Sequence, residues 1–376
     1  MEIRVERDAL VDAVNWVART LPSRSTHPLQ TGILIDVDRD HARPLRLTSS
    51  DGESSSQIHI DADINDPSPV LISGALFATI VRALPAAPVV ITTTENGAQL
   101  VCGRTVFKVP VMNAADYPAV LEMPTSCGTV SGANFAAAVS QVAVAAGKID
   151  AMPALSGVRM EINGPIITFA ATDRFRMAMR ELAWTPARTI EDTAFLIPAK
   201  SLADIARSLT TCEAVHIAFT QEGVATLGFE GDHRRTTTRL MDGDFPKFRS
   251  IIPSTTATNV TIDTAGFLET VKRVALVSDR NKPLRLTFSE VEVTVTAGAD
   301  TDATATDVFE CRTRGTGLTI AFNADFLIDG LNAVNAPVVG LGMNEPEKPA
   351  VLHGLASHDG EPTGDYRYLI MPVRLN

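Results

Sequence analysis

The sequence predicts an α+β fold in which one domain, built of two helices and antiparallel sheets, is repeated three times. Two helix families, each present three times in the same order, predict the repeat. Short alternating strands between them, some meeting at turn pairs such as Asn163-Gly164, predict the sheets. The length of 376 residues leaves room for the copies, at roughly 100–200 residues per domain.

The first helix family carries Leu10, Val14 and Val17 at helical spacing within 9–18. The pattern returns at an offset of 125 as Phe135, Val139 and Val142, and after a further 132 as Phe267, Val271 and Val274. The second family begins with Ile80-Val81-Arg82-Ala83-Leu84. At offsets of 125 and 250 stand Ile205-Ala206-Arg207-Ser208-Leu209 and Gly330-Leu331-Asn332-Ala333-Val334. Each follows a helix-start signal, at Ser73, Pro198 and Asn323. A period of 125 residues is too long for a solenoid unit and describes triplication of a whole domain.

Strands are expected at 89–94 and 98–101, flanking Asn96-Gly97, at 215–219 and 224–227, and at 158–162. The stretch 298–307, acidic and rich in Thr and Ala, reads as an exposed strand or loop. Asp116-Tyr117-Pro118 and Asp244-Phe245-Pro246 close the first two copies, which puts linkers near 120–128 and 250–258. The domains are therefore drawn as 1–124, 125–253 and 254–376.

Aromatic residues make up only 5 %, so the cores rest on Ala, Val, Ile and Leu. Cys102, Cys127, Cys212 and Cys311 are too scattered for a zinc site and read as buried thiols in a reducing compartment. The charged start MEIRVERDAL is unlike a signal peptide, and no apolar run approaches the roughly 20 residues of a membrane span. A cytoplasmic protein is expected. The net charge of −11 excludes a uniformly basic surface, but an acidic exterior with a locally basic concave face remains compatible with nucleic acid.

Catalytic signatures are missing. There is no phosphate-binding loop and no Gly-x-Ser-x-Gly elbow. The seven histidines show no metal-type spacing, and Asp232-His233-Arg234-Arg235 reads as a surface hairpin turn. The chain is read as non-catalytic, with no metal and no cofactor. An enzyme with a scattered active site is the competing class, supported only by a convergent nucleophile and base.

Four elements in order carry a family resemblance along the whole chain. They are Thr172-Asp173-Arg174-Phe175-Arg176-Met177, Gly243-Asp244-Phe245-Pro246-Lys247-Phe248, Phe322-Asn323-Ala324-Asp325-Phe326-Leu327 and Tyr368-Leu369-Ile370-Met371-Pro372-Val373-Arg374-Leu375. Together, on a triplicated domain, they resemble the bacterial DNA polymerase III β subunit, the sliding clamps. Arg174 and Phe175 stand where some members have Gly and His, Met177 replaces the usual Leu, Ser250 stands where some carry Arg, and Asn376 extends the tail.

The resemblance implies a head-to-tail homodimeric ring around duplex DNA, with helices lining the hole and sheets outside. Sequence-independent phosphate contact is then expected of helix residues Arg82, Arg207, Lys272 and Arg273 and loop residues Arg24, Lys148, Arg280 and Lys282. Solvated surface charge is the plain alternative for each. A pocket for short clamp-binding peptides is implied at Leu155, Thr172, Phe175, Arg176, Met177, Pro246 and Ile251. Its other side would carry Asn323, Phe326, Ala350, Leu369, Ile370, Met371, Pro372, Val373, Arg374 and Leu375. For the dimer contact the resemblance points to Arg104 and Phe107 on one chain, meeting Leu276, Val277, Asp300 and Asp302 on the other. Implied partners are the polymerase III catalytic subunit, the clamp loader, and other polymerases and repair proteins. A non-replicative paralogue, for example one protecting against a clamp-targeting antibiotic, is the alternative.

Overall fold

A computed structural model describes residues 1–22, 27–94, 97–148, 152–220, 226–278, 283–298 and 303–374. Among these, the α-helices fall where the repeat predicts. They are α1 (Arg7–Val17), α2 (Gly74–Ala83), α3 (Gly132–Ala143), α4 (Ala199–Ser208), α5 (Thr264–Ala275) and α6 (Ala324–Val334). The second member of each pair starts at 74, 199 and 324, preserving the 125-residue period. The apolar stripes that define the families are fully buried at Leu10, Val14, Val17, Phe135, Val139, Val142 and Val271. Asn323 caps α6 by accepting from the Phe326 amide at 3.1 Å, and Asp263 caps α5 by accepting from the Gly266 amide at 2.8 Å.

By contacts the chain divides into two compact units. The first comprises Met1–Ala133, Thr185–Arg188 and Ser208–Leu240, and the second Asn134–Trp184, Thr189–Arg207 and Met241–Asn376. Each holds two sheets, and every recorded strand pairing is antiparallel.

In the first unit, a five-stranded sheet runs in the order Asp63–Asp66, Glu2–Val5, Val89–Thr94, Gly97–Cys102, Thr105–Val109. A ten-stranded sheet joins strands of the first two copies by pairing Ser54–Ile60 with Arg234–Arg239. This seam is a ladder of buried hydroxyls: Ser54 with Thr238 at 2.9 Å, Ser55 with Thr237 at 2.5 Å, and Ser56 with Thr236 at 3.3 Å. Each of these hydroxyls satisfies its partner, so the ladder fixes the register of the seam. The Asp232-His233 pair turns the hairpin that leads into it, both residues with positive φ.

In the second unit, a nine-stranded sheet joins strands of the last two copies by pairing Arg176–Ala183 with Tyr366–Ile370. The Asn163-Gly164 hairpin forms in the same sheet, with Gly164 at φ 53°. Helix α6 packs on this sheet through Gly330, whose missing Cβ makes room for the buried Tyr368 ring. The Tyr368 hydroxyl then donates to the Phe326 carbonyl at 2.8 Å. A four-stranded sheet ends on Ala305–Glu310, which overlaps the stretch expected to be strand or loop only at 305–307, and residues 299–302 lie outside the described set. The strand expected at 224–227 begins outside the described residues, and its described part, 226–227, opens the longer strand Thr226–Gly231. The four cysteines are buried and free. Among the described residues no helix is long and apolar enough to cross a membrane.

Candidate peptide groove and nucleic-acid interface

The second unit carries an apolar cavity of about 240 Å³. Its floor is Met177 and Leu369, directly paired across the two strands that join the last two copies. Both also belong to a small core with Ala170, Phe248 and Val351. Pro246, Ile251, Pro349 and Met371 form the apolar walls, and Thr172, Arg174 and Arg176 supply the polar rim. An apolar trough with few polar handles suits a short extended peptide with large apolar anchors.

The rim is set by the tight turn 172–176. Asp173 Oδ1 accepts from the amides of Phe175 and Arg176, both at 3.0 Å. Thr172 Oγ1 donates to the Arg176 carbonyl at 2.7 Å and accepts from the Arg174 amide at 3.1 Å. To close this turn Arg174 adopts φ 78°, a left-handed conformation that glycine takes without strain. Arg176 is buried, only 5 % exposed. Its Nε donates to Asp173 at 3.0 Å, its Nη1 to Asp329 of α6 at 2.6 Å, and its guanidinium lies 4.4 Å from the Phe326 ring centre. Burial alone lowers its pKa; Tyr368, Asp329 and Asp173 outweigh burial and leave it raised. Arg176 is therefore a fixed cation that ties the turn to α6.

The tail closes the other wall by main-chain bonds. The Met371 amide donates to the Phe175 carbonyl and the Val373 amide to the Ala321 carbonyl, both at 2.8 Å. Phe175, 59 % exposed, stacks on Phe326 at 6.4 Å between ring centres.

Cationic side chains stand on the helices. Arg82 of α2 is exposed and its Nε donates to Asn15 of α1 at 2.8 Å. Arg207 occupies the repeat-equivalent position on α4 and pairs with Asp204 at 3.1 Å. On α5, Lys272 pairs with Glu269 at 2.9 Å and Arg273 with Asp307 at 2.8 Å. Lys148 is exposed in the loop after α3. Arg24, Arg280 and Lys282 lie outside the described residues, as do Asp300, Asp302 and Leu375.

Profiles of the DNA polymerase III beta subunit match nearly the whole chain: the N-terminal domain at 1–121, the central domain at 129–247 and the C-terminal domain at 249–374. The chain belongs to the DNA polymerase III β subunit family, the β sliding clamps. It is 44 % identical over 378 residues to the beta sliding clamp of Streptomyces coelicolor, covering 100 % of both chains. It is 35 % identical over 376 residues to the beta sliding clamp homolog GriR of Streptomyces muensis, again covering 100 % of both. The crystal structure of the DNA polymerase sliding clamp from Bacillus subtilis superposes with a TM-score of 0.90 at 22 % identity, covering 100 % of each chain. The protein is a sliding clamp, a non-catalytic processivity factor of DNA replication.

The structure brings together seven of the residues assigned to the clamp's peptide pocket from sequence: Thr172, Arg176, Met177, Pro246, Ile251, Leu369 and Met371. Others stand apart from the cavity. Ala350 and Ile370 are paired in register and fully buried, and neither lines the cavity. Leu155 is also buried, and its carbonyl accepts from Gly147 at 2.7 Å. Asn323 is engaged as a helix cap. Pro372, Val373 and Arg374 continue the tail beyond the cavity, Val373 and Arg374 with exposed side chains. Three residues were missed. Arg174 lies inside the Thr172–Met177 element, and its positive φ is a feature of folded backbone. Pro349 immediately precedes a residue that was assigned. Asp329 lies three residues after Phe326 on one face of α6, a spacing that pointed to a shared partner.

Proposed function

We propose that two copies of the chain close head to tail into a ring around duplex DNA. Domains 1–124, 125–253 and 254–376 would each supply one helix pair to the inner wall. The observation that carries this reading is the 125-residue recurrence of the helix pairs, with Arg82 and Arg207 at equivalent points. Equivalent domains can turn by equivalent contacts, and a heterologous interface that closes makes a ring. Two sheet edges support the closure. Thr105–Val109 ends one sheet with Val106 51 % exposed and Phe107 half-buried, and Ala305–Glu310 ends another with Val308 50 % exposed. Such unpaired edges are templates for a second chain. Arg104 stands exposed at the turn before the first edge, Leu276 is 85 % exposed after α5, and Val277 is partly exposed beside it. These residues, with Asp300 and Asp302, form the proposed subunit contact.

Within the ring Arg82, Lys148, Arg207, Lys272 and Arg273, joined by Arg24, Arg280 and Lys282, would meet phosphates without reading bases. Such a role places the protein in the bacterial cytoplasm. The groove would hold clamp-binding peptides of the replicative polymerase, the clamp loader and repair proteins. The higher identity to the Streptomyces coelicolor clamp, 44 % against 35 % for the GriR homologue, favours the replicative reading over the paralogue.

The groove is tested by deleting Met371 to Asn376 and titrating a labelled Gln-x-x-Leu-Phe peptide by fluorescence anisotropy. Exposing two anchors worth roughly 1.5–3 kcal/mol each is expected to weaken a micromolar complex beyond detection. Light scattering is expected to find the truncated protein still dimeric. Unchanged affinity in that dimer refutes the assignment.

A further inference from the structure

A second cavity, of about 340 Å³, adjoins the groove and shares Pro246 with it. Its chemistry is different. Arg159, Lys247 and Arg249 line it together with a single carboxylate, Glu161. That carboxylate is already occupied. It accepts from Arg159 Nε at 2.6 Å and from Arg249 Nη1. Burial pushes the Glu161 pKa up, but its bonds to Arg159 and Arg249 outweigh this and leave it lowered, so it stays ionised at neutral pH.

Both guanidiniums are held in place. Arg249 also reaches Thr168 Oγ1 at 3.3 Å and stacks 4.7 Å from the Phe248 ring centre. Lys247 is exposed and, among the described residues, makes no ion pair. Three cations around one carboxylate leave an excess of positive charge, on a chain whose net charge is −11. A pre-positioned cationic site favours an anion at little ordering cost.

We propose that this cavity is a carboxylate subsite of the groove, taking an Asp or Glu side chain that flanks the apolar anchors of a docked peptide. The inference rests on the peptide-groove reading. The segment 246–251 identifies the occupant as one molecule. It offers Pro246 and Ile251 to the apolar cavity and Lys247 and Arg249 to the cationic one. A ligand spanning both needs apolar anchors and an anion on the same backbone, and an acidic peptide has them.

The test uses the full-length protein and three labelled peptides with the same Gln-x-x-Leu-Phe core: neutral flanks, an acidic N-flank and an acidic C-flank. Each is titrated by anisotropy against the parent, Lys247→Gln and Lys247→Glu. At about 50 mM salt, where exposed charges are weakly screened, one acidic flank is expected to bind the parent about three- to fivefold more tightly than the neutral peptide. The gain is expected to vanish in Lys247→Gln and to reverse in Lys247→Glu, with neutral-peptide affinity unchanged across all three proteins. Equal binding of acidic and neutral peptides to the parent overturns the subsite while leaving the groove intact. So does a gain that survives Lys247→Glu. Failure of the neutral peptide to bind at all overturns the groove and the subsite together.

Discussion

Replacing Arg176 by Ala is expected to destabilise the second unit by about 3 kcal/mol, as the contacts of this residue imply. Its bond to Asp173 is mostly buried, side chains 4 % and 15 % exposed, so the usual roughly 1.5–3 kcal/mol for a hydrogen bond to a charged group applies nearly in full. Asp329 is 43 % exposed, and water replaces much of what it loses, leaving about 0–1 kcal/mol. Stacking over Phe326 adds about 0.5–1 kcal/mol. Asp173 keeps its two amide donors, which limits the damage to the turn. Lysine retains the charge but cannot direct donors along the Nε and Nη1 axes together, so Arg176→Lys is expected to lose about half as much. Trp184 is buried in the second unit, with its indole donating to the Gly164 carbonyl at 3.0 Å. Its fluorescence in a Trp16→Phe background reports urea unfolding of that unit. An Arg176→Ala unfolding free energy within about 1 kcal/mol of the parent, with peptide affinity intact, refutes the view that this cation fixes the groove.

Two further substitutions probe local strain and titration. Arg174→Gly is expected to stabilise the second unit by about 0.5–1 kcal/mol by relieving the left-handed backbone at φ 78°, read by the same urea titration; a destabilised variant contradicts the strain argument. His59 is buried beside His41 and its pKa is lowered from the ordinary 6.5, by burial first and then by His41. The unfolded chain therefore takes up this proton before the folded one does, so stability is expected to fall as pH drops through about 6.5 and on towards the lower folded value. The melting temperature followed from about pH 7.5 to 5.5 is expected to slope less in His59→Gln, with His233 and His353 keeping part of the slope; identical slopes contradict the assignment.

Helices were legible because a helical stripe is local: Leu10, Val14 and Val17 announce their own burial, and their recurrence announces the triplication. Hairpins such as Asn163-Gly164 were legible for the same reason. The groove was not readable from local pattern. Met177 meets Leu369 only because a strand of the second copy pairs with one of the third, a contact set by tertiary assembly. Family resemblance supplied those residues, and it also carried along Ala350 and Ile370, whose position in the strand turns them into the core. The basic subsite left no local signal. Arg159 holds Glu161 from two residues away on one strand, but Arg249, remote in the chain, reaches the same carboxylate only once the chain is folded.

Encirclement is tested most directly by loading the protein with a clamp loader onto nicked circular DNA, linearising half the sample, and raising the salt to about 1 M, where screening acts over roughly 3 Å. The phosphate contacts proposed for residues such as Arg82 and Arg207 would then no longer hold the protein, and only topology would. Protein is expected to stay on the circles through gel filtration and to be lost from the linear molecules by sliding off their ends. Loss from circular and linear DNA at the same rate contradicts encirclement.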